Sequence, residues 1–268
     1  MLESKEQKVN VLITGGTGCG KSSTINALFG TEKAKVGTTS NPETQAIDCY
    51  EFSPNFTLWD SPGLGDGVEK DRQHAKGITK LLTEKDENGS LKIDAVLVIL
   101  DGGSRDLGTS YQLINEVIAP CLHEDDHNRL IIAINQADMA MKGRHFNQDE
   151  AAPDATLQDF LARQAASIRQ RILVSTGLMI RNPVVFSAEY GFNIKGILDS
   201  IIDNDKWVPR KGYDVIDPQN VPIRIDNQKY KVDKSFSEDD YDFSSYDYDD
   251  PIEDFFDGII DFFSDLFW

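Results

Sequence analysis

From residue 9 to about residue 204, short apolar runs alternate with stretches of helical period. The runs at 9–14, 46–52, 57–60, 95–100, 130–135 and 183–186 are brief, mostly apolar and bounded by turn-forming residues, so they predict strands. Between them, apolar residues recur every three or four positions at 21–29, 69–83, 109–119, 157–176 and 193–203, which predicts helices. This alternation predicts an α/β fold, an open, doubly wound, mostly parallel sheet covered by helices on both faces, over residues 1–205.

The pattern then breaks. Residues 206–234 are punctuated by proline, with an alternating stretch at 221–225 that either pairs as an extra hairpin or wraps the domain. Residues 235–250 are rich in Ser, Asp and Tyr, and their charge density predicts a solvated linker. Helical spacing returns with Phe255, Phe256, Ile259, Ile260, Phe263, Leu266 and Phe267, separated by Asp254, Asp257, Asp261 and Asp265. Residues 235–268 thus read as an acidic linker followed by an amphipathic aromatic helix, weakened by Gly258. Such a helix either packs on the domain before it or docks in a basic-rimmed apolar groove of a partner.

Charge narrows the partners. The net charge is −18, and residues 235–268 hold 12 acidic residues and no Lys or Arg, leaving about −6 for the first 234. A chain this acidic repels phosphate backbones and anionic membranes, so nucleic acid is not an expected partner. Cys19, Cys49 and Cys121 are odd in number and far apart, which predicts a reducing compartment without disulfides. No apolar run approaches the ~18 residues of a bilayer span. The expected location is therefore cytoplasmic, with no transmembrane segment.

The chemistry is concentrated at strand ends. Gly15, Gly16, Thr17, Gly18, Cys19, Gly20, Lys21, Ser22 and Ser23 follow the first strand and open the first helix. Glycines there let backbone N–H groups close around α- and β-phosphates at the positive end of a helix. Lys21 then bridges β- and γ-phosphates, and the Ser22 hydroxyl ligates Mg2+. Asp60, at the end of the strand 57–60, is placed to hold Mg2+ through a water, while Gly63 offers its N–H to the γ-phosphate. Asn135, Gln136, Ala137 and Asp138 close the strand 130–135 and choose the base. A carboxylate at Asp138 accepts from guanine N1–H and the 2-amino group, which adenine does not present together. A buried acceptor left unpaired by the wrong base discriminates by about 10⁴-fold. The expected ligands are GTP and GDP, with Ser187 and Ala188 in reach of guanine O6.

These residues, in this order, resemble the TRAFAC-class GTPases of the Era and MnmE type, above all small bacterial GTPases opening with a Gly-x-Thr-Gly-x-Gly-Lys-Ser-Ser loop. The resemblance spans residues 9–203 and implies a GTP/GDP switch that hydrolyses GTP. It also implies a threonine completing the Mg2+ shell, for which Thr44 is the choice and Thr38 and Thr39 the competitors. Several positions depart from the family pattern. Gln136 replaces a lysine whose stem packs over the base, and Leu64 stands where Ras-like proteins carry a water-orienting glutamine. Gly18 occupies the place of the asparagine found in potassium-activated relatives, and residues 31–45 hold no arginine. Intrinsic hydrolysis is expected to be slow, with acceleration by a protein effector or by a homodimer across the nucleotide face.

Other features have plainer readings. The cluster from His123 to His127 lies in a polar connection and reads as a solvated loop rather than a metal site. Cys19 reads as a small filler of the phosphate loop rather than a redox thiol, and Trp59 as core.

Overall fold

The longest apolar runs become the centre of a sheet. The computed structural model describes residues 9–29, 35–38, 47–53, 56–87, 89–104, 107–123 and 128–202. Its strands are β1 (Val9–Gly15), β2 (Lys35–Thr38), β3 (Asp48–Ser53), β4 (Phe56–Asp60), β5 (Ala95–Asp101), β6 (Leu130–Asn135), β7 (Phe146–Asn147), β8 (Ala152–Pro153) and β9 (Val184–Val185). Seven of them form one sheet in the order β2-β3-β4-β1-β5-β6-β9. The pairs β4–β1, β1–β5, β5–β6 and β6–β9 are parallel, and β2–β3 and β3–β4 are antiparallel. The expected α/β, mostly parallel sheet is what forms. The strands β5 and β6 are almost entirely apolar and buried, as a parallel sheet covered on both faces requires.

The helices are α1 (Lys21–Phe29), α2 (Val68–Thr83), α3 (Gly108–Gln112), α4 (Ala140–Gly143), α5 (Ala155–Thr176) and α6 (Ile194–Ile202). Leu12, Val96, Val98, Leu100 and Ile132 face one side, packed with Ile78 and Leu82 of α2 and Ile168 and Ile172 of α5. Strand alternation turns Val11, Ile13, Leu97 and Ile99 to the opposite face. On α5 the buried residues Leu157, Leu161, Ala165, Ile168 and Ile172 form one stripe, and Gly177 ends the helix in the left-handed conformation (φ 75°).

Several elements differ from the sequence reading. The strand expected at 46–52 begins at Asp48, and β2 precedes it as an unexpected edge. The helix expected at 109–119 starts at Gly108, widens into a π-helix over Leu113–Ile118 and closes as a 3-10 turn over Ala119–Cys121. After β6, Met141 and Lys142 take left-handed φ values (50° and 64°), so α4 is a strained turn leading into the β7–β8 hairpin. The strand expected at 183–186 shortens to Val184–Val185. Residues 203–268, with the extension and the acidic tail, lie outside the described residues.

At the amino ends of β5 and β6, Arg129 is buried, donating from Nε to Asp94 O (3.2 Å) and from Nη2 to Ile93 O. Asp94 Oδ2 accepts the Asn10 N–H at 2.8 Å. Replacing Arg129 with leucine orphans two buried carbonyls. The expected result is a loss of about 2 kcal/mol in urea unfolding with nucleotide affinity unchanged, since the opposite end of the sheet carries the site.

Candidate functional site: the carboxyl edge of the sheet

The strand register gathers the candidate residues. Ile13 pairs with Asp60, Gly15 with Ile99, and Asp101 with Asn135, so β1, β4, β5 and β6 end at one edge. Ligands of such sheets bind there. The chain leaves β1 through a loop in which Gly15, Gly18 and Gly20 have φ values of 151°, 81° and 93°, and α1 begins at Lys21. A side chain at Gly20 would collide with the Asn135 amide, and one at Gly15 with Ile99 O. Glycine is therefore required at both positions.

Lys21 Nζ donates to Gly15 O (3.3 Å) and Gly16 O (3.1 Å), folding back over its own loop. Thr17, Gly18, Ser22 and Ser23 are exposed, while Cys19 is buried. Burial raises the Cys19 thiol above its usual range against the pull of the Lys21 ammonium, so this thiol is a packed filler, as expected. The segment after β4 lies against the loop: Thr17 N–H donates to Leu64 O (2.8 Å) and Leu64 N–H to Gly15 O (3.3 Å). Gly63 is pressed closer still, since a Cβ there would stand 2.7 Å from Thr17 Oγ1 and 2.9 Å from Lys21 Nζ.

Asp60 carries the electrostatics. Burial pushes its carboxyl up to about 6, the Lys21 ammonium works against the rise, and the Asp48 carboxylate adds to it. Asp48 sits directly opposite Asp60 on β3. Asp60 Oδ1 is buried without a hydrogen-bond partner. An orphaned, buried carboxylate oxygen suits a hard cation that takes oxygen ligands, so the residues present fit Mg2+. Of the threonine candidates, Thr38 ends β2 opposite Asp48, whereas Thr39 and Thr44 lie outside the described residues.

Asn135 joins the phosphate loop to the far edge. Its Nδ2 donates to Cys19 O (3.1 Å) and its Oδ1 accepts the Ala188 N–H (3.0 Å). Ser187 is buried, and its N–H donates to Phe192 O at 3.0 Å. Gln136 has a left-handed backbone (φ 64°), and Asp138 is half-buried two residues on. The structure thus brings Cys19, Asn135 and Ala188 together, and separately Thr17, Lys21 and Gly63. Two contributors were missed in the sequence: Asp71 Oδ1 accepts the N–H groups of Gly65 (2.9 Å) and Asp66 (3.3 Å), and His74 Nδ1 lies 3.3 Å from Gly63 O. Their only signal was position, in the first two turns of the helix after a glycine-rich loop. Trp59 is core, with Nε1 donating to Asn10 Oδ1 at 3.2 Å. Among the described residues no group of three or more His, Cys, Asp or Glu could hold a metal, and residues 124–127 of the polar cluster lie outside them.

Sheet order, phosphate loop and strand-end motifs define a P-loop GTPase fold with a mostly parallel central sheet. Residues 10–136 match the family model described as 50S ribosome-binding GTPase. Over 81 residues the chain is 32% identical to interferon-gamma-inducible GTPase 10 of Mus musculus, a match covering 28% of this chain and 19% of that protein. The G domain of the T. maritima FeoB iron transporter is similar at 21% identity and TM-score 0.43, covering 75% of this chain and 100% of that one. A probable GTP-binding protein engB is similar at 18% identity and TM-score 0.44, covering 73% and 97%. The fold is that of P-loop GTPases, and the family match spans residues 10–136, less than half of the chain. Among the described residues no helix is long and apolar enough to cross a membrane.

Proposed function

We propose that this chain binds GTP with Mg2+ and hydrolyses it slowly to GDP and phosphate, acting as a molecular switch. The observation that carries the reading is the Asn135 side chain, tied at once to the phosphate loop and to Ala188, which sets a phosphate cradle and a base-reading turn at a fixed separation. The loop N–H groups from Gly18 to Ser23 take the phosphate oxygens, and Lys21 exchanges its two loop carbonyls for β- and γ-phosphate oxygens. Held by Ser22, Thr44 and, through water, Asp60, Mg2+ would neutralise charge building on those oxygens. A water oxygen forms the new bond to the γ-phosphorus while the bond to the β–γ bridging oxygen breaks. GDP leaves with that electron pair, and the water proton passes to the released phosphate. Gly63 offers its N–H to the γ-phosphate, and Asp138, with Gln136 beside it, reads guanine; the N–H groups of Ser187 and Ala188, expected at O6, are given to Phe192 O and Asn135 Oδ1 and so frame the base-reading turn.

One observation favours a second reading. Leu64 is buried and its backbone is bonded to the phosphate loop, so the position that would orient water carries an apolar, inward side chain. A nucleotide-gated interaction protein with little turnover, recruiting its partner through the acidic tail, follows from that. A protein effector or a homodimer across the nucleotide face would otherwise supply the missing group. A ribosome-directed role, suggested by the description of the matching family, is opposed by the net charge of −18.

Phosphate release from GTP and from ATP, each with Mg2+, separates these readings. GTP turnover exceeding ATP turnover by about 10²-fold or more supports the hydrolase. Tight GTP binding with no release would establish the second reading, and equal use of ATP would defeat both.

A further inference from the structure

α2 places two side chains, one turn apart, on the loop that follows Asp60. Asp71 holds the N–H groups of Gly65 and Asp66, and His74 Nδ1 meets the Gly63 carbonyl at 3.3 Å. Gly63 is the residue packed against Thr17 and the Lys21 ammonium, where a single added carbon would not fit. Its neighbour Leu64 is fixed on both backbone atoms by the phosphate loop. A carbonyl oxygen only accepts, so His74 carries its proton on Nδ1 in this contact. His74 and Gly63 are eleven residues apart, and the contact ties the body of α2 to the peptide that joins Gly63 to Leu64, on the carboxyl side of the Gly63 Cα and its N–H.

We infer that His74 is a positioning residue that makes the site distinguish GTP from GDP, by holding Gly63 so that its N–H addresses the γ-phosphate. The inference rests on the nucleotide reading above. GDP has no group at that place, so His74 contributes to GTP binding and turnover while leaving GDP affinity alone. A residue that merely stabilised α2 would affect both nucleotides equally.

The test uses the full chain with His74→Ala, His74→Asn and His74→Gln, measuring affinity for GDP and for a non-hydrolysable GTP analogue with Mg2+, together with kcat and KM for GTP. Asn carries its amide N–H near the place of Nδ1, whereas Gln carries it near the place of Nε2. His74→Ala is expected to weaken the GTP analogue about tenfold while GDP affinity stays within about twofold, and to lower kcat. His74→Asn restores most of the loss and His74→Gln does not. Equal weakening of both nucleotides, no change in either, or failure of Asn to rescue would each overturn the inference. A wild-type chain that binds no guanine nucleotide would instead overturn the functional reading beneath it.

Discussion

Lys21→Ala is expected to lower kcat/KM for GTP by about 10³-fold, close to 4 kcal/mol of transition-state stabilisation. Phosphoryl transfer involves little covalent chemistry by the protein, so positioned charge supplies most of the acceleration. The Lys21 ammonium pulls against the rise of the Asp60 carboxyl, and it lies against both the loop carbonyls and Gly63. After its removal Gly15 O still accepts the Leu64 N–H, and water reaches the half-buried Gly16, so the melting temperature of the nucleotide-free protein should hardly move. Single-turnover phosphate release combined with thermal unfolding distinguishes the outcomes. Turnover within a few-fold of wild type would remove the loop from the chemistry. A collapse of the melting temperature would make the lysine structural.

The phosphate loop was legible because its requirements are local. Glycines at Gly15 and Gly20 follow from backbone conformation and close approach, and a strand must end and a helix begin within eight residues. The strands β5 and β6 were legible for a related reason, since a parallel sheet buried on both faces leaves an unbroken apolar run. The strand β2 was not, because Lys35–Thr38 has one apolar residue and exists by pairing with β3, a tertiary cause that propensity does not record. The π-helix after α3 was hidden similarly: the apolar spacing of Leu113, Ile114, Val117 and Ile118 is the same for either winding. At the site, Ser187 and Ala188 form a common dipeptide without meaning of its own. What distinguishes it is an N–H 3.0 Å from Asn135 Oδ1, across a separation no local pattern spans. Asp71 and His74 escaped for the same reason, because a polar residue in the first two turns of an amphipathic helix reads as a solvated face until the loop it touches is seen.

Asp138→Asn is expected to lower affinity for GTP by about 10²–10⁴-fold, the worth of two charge-assisted hydrogen bonds at roughly 1.5–3 kcal/mol each. Guanine presents two donors side by side, N1–H and the 2-amino group, and a carboxylate accepts both. The amide of Asn accepts at one atom and donates at the other, so it sets a donor against the 2-amino group. Xanthine replaces that amino group by a carbonyl, which turns the clash into a hydrogen bond. The variant should therefore bind XTP better than the wild type does, with ATP no better bound by either. This reciprocal gain separates base reading from loss of structure, because a distorted loop would weaken every nucleotide. Asp138 follows the left-handed Gln136 and the buried Ala137, whose N–H donates to Phe186 O at 3.0 Å, so the turn carrying it is fixed by backbone contacts that the substitution leaves in place. Competition of GTP, XTP and ATP against a fluorescent GDP on wild type and variant reads all three affinities. Unchanged GTP binding in the variant would move base recognition away from this turn.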